Sequence, residues 1–189
     1  MNVNLGDWVC VADDKSSLIV RNFTVSQNRA RGVLLETRNI DIRQSVFNRT
    51  SGPAVLIQPS MFWSEGPEAR NISLINNLYI ENNEGIARQS GIISILPDPP
   101  QLTPVINDLR IESSTFYFGA HSQGLLQSDN ANNLSLKGNY IADNSSSPII
   151  SICNSRIISA SNNCVINSGQ AIDQYFTFDT NNPCLTNLS

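Results

Sequence analysis

The sequence NFTVSQNRARGVLLETRNIDIRQSVFNRTSGPAVLI, residues 22–57, contains two copies of one unit. Each copy has a short alternating apolar run, a polar corner, a Gly or Pro, and a second apolar run. Leu18 and Ile40 occupy equivalent positions in the two copies, 22 residues apart. A repeat of this length that is strand-like throughout is typical of a solenoid of stacked coils.

The same unit recurs along the chain and predicts six coils. One apolar position recurs at Val20, Ile42, Leu74, Ile111, Leu136 and Ala160. A second apolar position, five residues later, recurs at Val25, Phe47, Tyr79, Phe116, Ile141 and Val165. Between them lies a mostly small and polar column, with Phe23 as its exception, formed by Ser45, Asn77, Ser114, Asn139 and Asn163.

These columns predict an all-β fold, a right-handed parallel β-helix of about six coils with an Asn/Ser ladder. Val, Ile and Leu suit parallel strands buried inside a coil. Asn and Ser tolerate the backbone angles of a sharp corner, and they hydrogen-bond their neighbours when stacked. The alternative is a β-sandwich with Asn-rich turns, which is disfavoured because the repeat has coil length rather than hairpin length.

The chain reads as one domain in three parts. Residues 1–17 form a lead-in with an edge strand, residues 18–171 form the coils with insertions at 58–69 and 97–104, and residues 172–189 form a tail. The sixth coil looks weak. Four cysteines, Cys10, Cys153, Cys164 and Cys184, allow three disulfide connectivities. A bridge between Cys164 and Cys184 would span about one coil and pin the tail, and free thiols are the alternative.

Composition limits the partners. The net charge is −4 and no run of Lys or Arg occurs, which disfavours nucleic acid. No apolar run has the roughly 20 residues of a membrane span. No Cys/His grouping predicts zinc, and Asp7 and Asp13-Asp14 lack calcium-ligand spacing. We therefore expect no metal and no cofactor.

Two features of the sequence point in different directions about location. Six Asn-x-Ser/Thr sequons, an excess over the two or three expected by chance, favour an extracellular, secreted glycoprotein. These sequons begin at Asn22, Asn48, Asn71, Asn133, Asn144 and Asn187. The first twenty residues, however, lack the basic start and apolar segment of a signal peptide. The expected resolution is that the chain is a portion of a larger protein.

Three stretches in order carry a family resemblance: residues 28–37 (NRARGVLLET), 50–57 (TSGPAVLI) and 63–67 (WSEGP). Across residues 5–83 the chain resembles the C-terminal half of the parallel β-helix glycoside hydrolases of the blood-group-B α-1,3-galactosidase family, and related β-helix proteins of unassigned activity. The resemblance implies a carbohydrate partner, in particular a terminal α-galactoside.

The resemblance does not extend to the catalytic residues. The family pattern has an Asp-Asp pair followed by Asn-x-His-Gly, whereas Asp13-Asp14 is followed by Lys-Ser-Ser. Glycoside hydrolysis needs two carboxyls about 5–5.5 Å apart for retention or about 6.5–9.5 Å apart for inversion. No such pair is evident, so the catalytic residues are unknown and the isolated chain is expected to be inactive.

Three residues are the candidate substrate-binding groups. Glu65 beside Trp63 combines a carboxylate with an aromatic ring for sugar stacking, and it is the weak catalytic candidate; a packed Trp and a solvated Glu are the alternative. Arg31 is placed to hold a sugar hydroxyl or carboxylate, or else to pair with Glu36 on the surface. His121 lies in a turn-like GAHSQG segment without a catalytic arrangement around it.

Two functions of different classes follow. The first is a portion of a secreted carbohydrate-active protein resembling a glycoside hydrolase. The second is a non-catalytic glycan-binding or surface β-helix. A polysaccharide lyase or polygalacturonase-type enzyme is a distant third, because no Asp cluster or basic catalytic residue is apparent.

Overall fold

The computed structural model describes residues 16–60, 66, 68–85, 91–97, 104–122, 124–142 and 150–165. These residues form β-strands and no helix, so no helix in this part of the chain is long and apolar enough to cross a membrane. Residues 1–15, most of the two predicted insertions and everything from 166 onward lie outside the described residues, which leaves the predicted limits of the lead-in and the tail untested.

The strands form three parallel sheets; each of the first five coils contributes one strand to each sheet, and the described part of the sixth contributes strands to two of them. Sheet A contains β1 (Leu18–Arg21), β4 (Arg38–Arg43), β7 (Ala69–Ile75), β10 (Ile106–Glu112), β13 (Ala131–Lys137) and β16 (Ile157–Ser161). Sheet B contains β2 (Thr24–Ser26), β5 (Val46–Asn48), β8 (Leu78–Ile80), β11 (Thr115–Tyr117), β14 (Tyr140–Ala142) and β17 (Cys164–Val165). Sheet C contains β3 (Val33–Leu35), β6 (Val55–Ile57), β9 (Ile93–Ile95), β12 (Leu126–Asp129) and β15 (Ile150–Cys153).

This arrangement confirms the predicted right-handed parallel β-helix, including its register. Val20 pairs with Ile42, Ile42 pairs with Leu74, and the column continues to Ala160 as predicted. The second column, from Val25 to Val165, is also paired as the sequence predicts. The inward residues of the middle coils are fully buried, because each is covered by equivalent residues above and below.

The predicted ladder lies at the corner between sheets A and B. The residue before each ladder position has a left-handed backbone, with φ of 51° at Gln44 and 57° at Asn76. Each ladder side chain then accepts the main-chain N–H of the coil before it: Ser45 N donates to Asn77 Oδ1 at 2.9 Å, and Ser114 N donates to Asn139 Oδ1 at 3.1 Å. The buried corner groups are thereby satisfied.

A stack of three aromatic rings fills the interior beside this ladder. The centroids of Phe47 and Tyr79 are 5.3 Å apart and those of Tyr79 and Phe116 are 4.6 Å apart, and the ring planes in both pairs are nearly parallel. Burial raises the pKa of the Tyr79 phenol, whose oxygen has no hydrogen-bond partner. The stacked rings stabilise the folded protein, and the buried Tyr79 hydroxyl without a partner reduces that stabilisation.

A second column of left-handed residues runs along sheet A and explains several of the sequons. Asn71 (φ 52°) and Asn133 (φ 57°) occupy this column, and Asn22 (φ 53°) precedes the ladder. Asn favours the left-handed region, the next residue of each strand points inward and is apolar, and the one after it is outward and polar. The coil geometry alone therefore accounts for the Asn-apolar-Ser sequences at Asn71 and Asn133, without requiring glycosylation.

The structure near the end of the solenoid decides about one of the possible disulfides, the bridge between Cys164 and Cys184. Cys164 lies in β17, in the outward-facing column that begins with Thr24, and it carries a free thiol. The Cys164–Cys184 bridge, one of the pairings that the sequence left open, is therefore absent. The sixth coil is less regular than the coils before it. Its strand β16 pairs with β13 through a register shift, and Ile158 is exposed.

Candidate functional site

The connections between sheets B and C form one edge of the solenoid, here called the B–C corner and comprising residues 27–32, 49–54, 81–85 and 118–122. Arg31 lies on this corner in the first coil, directly before β3, and its side chain is exposed. Trp63 and Glu65 lie outside the described residues. The structure therefore places only Arg31 of the three predicted site residues.

The loop that carries Arg31 is held by Asn28. Its Oδ1 accepts the main-chain N–H of Ala30 at 3.2 Å, and its Nδ2 donates to the carbonyl of Arg31 at 2.8 Å. These two bonds close a turn of the kind that Asn side chains form with their own backbone. The backbone beneath Arg31 is thereby fixed, although its guanidinium extends into solvent.

The corner loops of successive coils stack directly on one another. Gly52 N donates to Ala30 O at 3.1 Å, and Gly85 N donates to Ser51 O at 2.8 Å. A Cβ at Gly85 would lie 2.6 Å from Ser51 O, so only glycine permits this approach. Gly52 and Gly85 therefore contribute no side chains to the surface of the B–C corner.

Glu84 lies on the same corner in the third coil and was missed by the sequence analysis. Its carboxylate accepts hydrogen bonds from Ser122 Oγ at 2.7 Å and from the main-chain N–H of His121 at 3.2 Å. Gly119 packs so closely that a Cβ there would collide with the carboxylate. The sequence signal that could have indicated Glu84 is a charged residue directly before a Gly at this corner. Arg31-Gly32 and Glu84-Gly85 share this pattern.

The surroundings of His121 give it no catalytic arrangement. Its side chain is exposed, and its main-chain N–H rather than its imidazole contacts Glu84. The Ser122 hydroxyl is buried, lies 2.7 Å from Asn82 O, and accepts the N–H of Gly119 at 3.1 Å. Ser122 therefore anchors the loop around Glu84.

A surface pair between Arg31 and Glu36, the alternative to a sugar-binding role for Arg31, is not formed. Arg31 precedes β3 and Glu36 follows it, so the strand carries the two side chains to different corners of the coil. Arg31 makes no ion pair with any described residue. Because no described residue pairs with it, the Arg31 guanidinium is available to a ligand.

Most carboxylates with described surroundings are already engaged. Asp41 pairs with Arg43 and Glu68 pairs with Arg38, the latter at 2.7 Å. The others engaged in this way are Glu81 with Arg49, Glu84 with Ser122, and Asp108 with Asn133. Among the residues the structure describes, no group of three or more His, Cys, Asp or Glu side chains is placed to hold a metal.

Asp129, at the end of β12, differs from these carboxylates. Its Oδ1 is buried without a hydrogen-bond partner, and burial raises the pKa of its carboxyl group. A carboxyl of raised pKa suits general-acid chemistry, but Asp129 lies on the opposite end of sheet C from Arg31. No second carboxyl is brought to it among the described residues.

Comparisons with known proteins give one partial relative. Over 104 residues, 53% of this chain, the sequence is 33% identical to alpha-1,3-galactosidase B of Akkermansia muciniphila. The aligned segment covers 13% of that protein. No protein-family model matches the chain. The chain is thus distantly similar to part of a galactosidase.

Proposed function

We propose that the chain is a glycoside hydrolase-like β-helix whose B–C corner binds a glycan, in particular a terminal galactoside. The observation that supports this most is the distant similarity to a galactosidase over half of the chain. On the corner, Arg31 is exposed and lies beside Gly52, which has no side chain. A sugar that packs against this glycine brings its polar groups to the guanidinium.

The described coils support binding better than hydrolysis. Asp41, Glu68 and Glu81 are neutralised by arginines, and Glu84 is held by two hydrogen bonds. Freeing an ion-paired carboxylate to act as an acid or nucleophile would leave its arginine uncompensated. We therefore propose that any acid and base lie outside the described residues, with Glu65 as the remaining candidate in this chain.

An extracellular location is part of the proposal. It depends on the sequons and on the carbohydrate partner, and the coil geometry at Asn71 and Asn133 weakens the first of these arguments. Mass spectrometry of the native protein tests it directly, because glycan mass on Asn48, which lies outside both left-handed columns, would indicate passage through a secretory pathway.

The experiment measures binding and turnover of an α-1,3-galactobiose on the same preparation. We expect binding by calorimetry that weakens about tenfold in Arg31→Ala, as for loss of a charge-assisted hydrogen bond. Arg49→Ala is the matched control, because Arg49 lies on the same corner of the next coil but is occupied by Glu81. Turnover that disappears in Glu65→Gln would instead support the enzyme. Absence of both binding and turnover would refute the proposal.

A further inference from the structure

The arginines of this protein fall into two groups. Across the first four coils, described arginine side chains are engaged within the molecule except at two positions. Those engaged are Arg21 and Arg43 with Asp41, Arg38 and Arg70 with Glu68, Arg49 with Glu81, and Arg110 with Ser73. The exceptions are Arg29 and Arg31, which are both exposed. They lie on one loop of the B–C corner and pair with no described residue.

This unpaired pair is unusual for an acidic chain. The net charge of −4 comes from 16 acidic and 12 basic residues, so basic side chains are the minority charge in this chain. Two like charges placed two residues apart also repel each other. Two guanidiniums without described partners on one loop offer a negatively charged group two charge-assisted contacts.

The loop is built to hold these two groups in place. The two hydrogen bonds of Asn28 bracket the segment that contains both arginines. Ser51 N donates to Asn28 O at 2.9 Å, and Gly52 N donates to Ala30 O at 3.1 Å, so the loop rests on the next coil. A fixed backbone lowers the conformational entropy that the loop loses on binding.

The far end of the corner has the opposite charge. Glu84, held by Ser122 and His121, lies on the loop two coils from Arg31, about 9.6 Å along the axis at the usual strand spacing. The Arg49–Glu81 pair between them is internally neutral. The corner is therefore positive at Arg29 and Arg31 and negative at Glu84, a polarity that favours an anionic group at the two arginines.

We infer that the B–C corner recognises a glycan that carries an anionic group, a carboxylate or a sulfate, bound by Arg29 and Arg31. The inference rests on the proposed function and specifies its ligand class. The guanidinium fork donates two parallel hydrogen bonds to the oxygens of either group, which a Lys ammonium does not reproduce.

Calorimetry with three related probes tests the inference: lactose, lactose sulfated on galactose, and sialyllactose. We expect the full chain to bind an anionic probe at least about tenfold more tightly than lactose. The double variant Arg29→Ala/Arg31→Ala is expected to abolish this preference, so that the anionic probes bind it no more tightly than lactose does. Preference for the sulfated sugar or for sialyllactose then tells sulfate from carboxylate recognition.

Two control variants separate specific recognition from general charge. Arg21→Ala/Arg43→Ala removes the same charge from sheet A, and it is expected to keep the preference. Arg29→Lys/Arg31→Lys keeps the charge and is expected to lose most of the preference. Equal binding of lactose and the anionic probes, or an equal loss in the sheet A variant, would overturn the inference alone. If none of the three sugars nor α-1,3-galactobiose binds, the proposed function itself fails.

Discussion

The first and third coils have the same sequence pattern but very different surroundings. In the third coil, Ile72, Leu74 and Tyr79 are fully buried. In the first coil, the equivalent inward residues Val20 and Val25 are only half-buried. The nearby apolar side chains Leu18, Ile19 and Phe23 are 39%, 64% and 44% exposed. The coil is thus not a stable unit by itself, since burial comes from the neighbours on both sides.

The largest expected difference between the two coils concerns the aromatic stack. Tyr79→Ala removes the central ring and leaves a cavity between Phe47 and Phe116, which should cost about 3–5 kcal/mol of unfolding free energy. Phe23→Ala, at the exposed end, should change it by about 0.5 kcal/mol or less. Urea denaturation of both variants measures the contrast. Similar losses would show that the first coil is covered in solution.

A smaller difference is expected in the ladder. Asn77→Ala removes the acceptor for Ser45 N and the donor to Ile42 O, at 2.9 Å each, and leaves two buried main-chain groups unsatisfied. The expected cost is about 2–3 kcal/mol. Ser45→Ala removes the acceptor of the half-exposed Phe23 N, and it should cost about 1 kcal/mol, because water replaces that bond. Equal costs in the same denaturation assay would contradict a ladder that weakens toward its end.

The smallest effect concerns covered and open carboxylates. Burial raises the pKa of Asp129, so the folded protein retains this proton to higher pH than the unfolded chain. Stability should therefore fall as pH rises from the ordinary Asp pKa of about 3.9 through the raised value. Asp129→Asn should remove this loss and stabilise the protein at pH 7 relative to wild type.

The control for this effect is Asp41→Asn on the outer face, where Arg43 loses its partner and no gain at pH 7 is expected. Denaturation midpoints at pH 4 and pH 7 measure both variants. A parallel pH dependence in wild type and Asp129→Asn would exclude Asp129 as its source.

The sequence predicts the solenoid well because burial repeats with the coil. Ile42, Leu74 and Ile111 are recognisable despite spacings of 32 and 37 residues, since the strands on either side keep their order. The contacts of the corners are harder to predict. Glu84 meets Ser122 across 38 residues and two loops of different length, and no local pattern encodes that approach. The alternative in which Arg31 pairs with Glu36 fails, because residues close in sequence lie on different corners of the coil.

The register also determines where this protein can change during evolution. Successive ladder positions are 22, 32, 37, 25 and 24 residues apart, yet the described strands stay in register with their neighbours except for the shift between β13 and β16. Additional residues therefore accumulate in the corners that flank sheet C without disturbing the interior. Insertions and deletions at these corners change the loops with little effect on the sheets. New recognition loops can therefore arise on an unchanged scaffold.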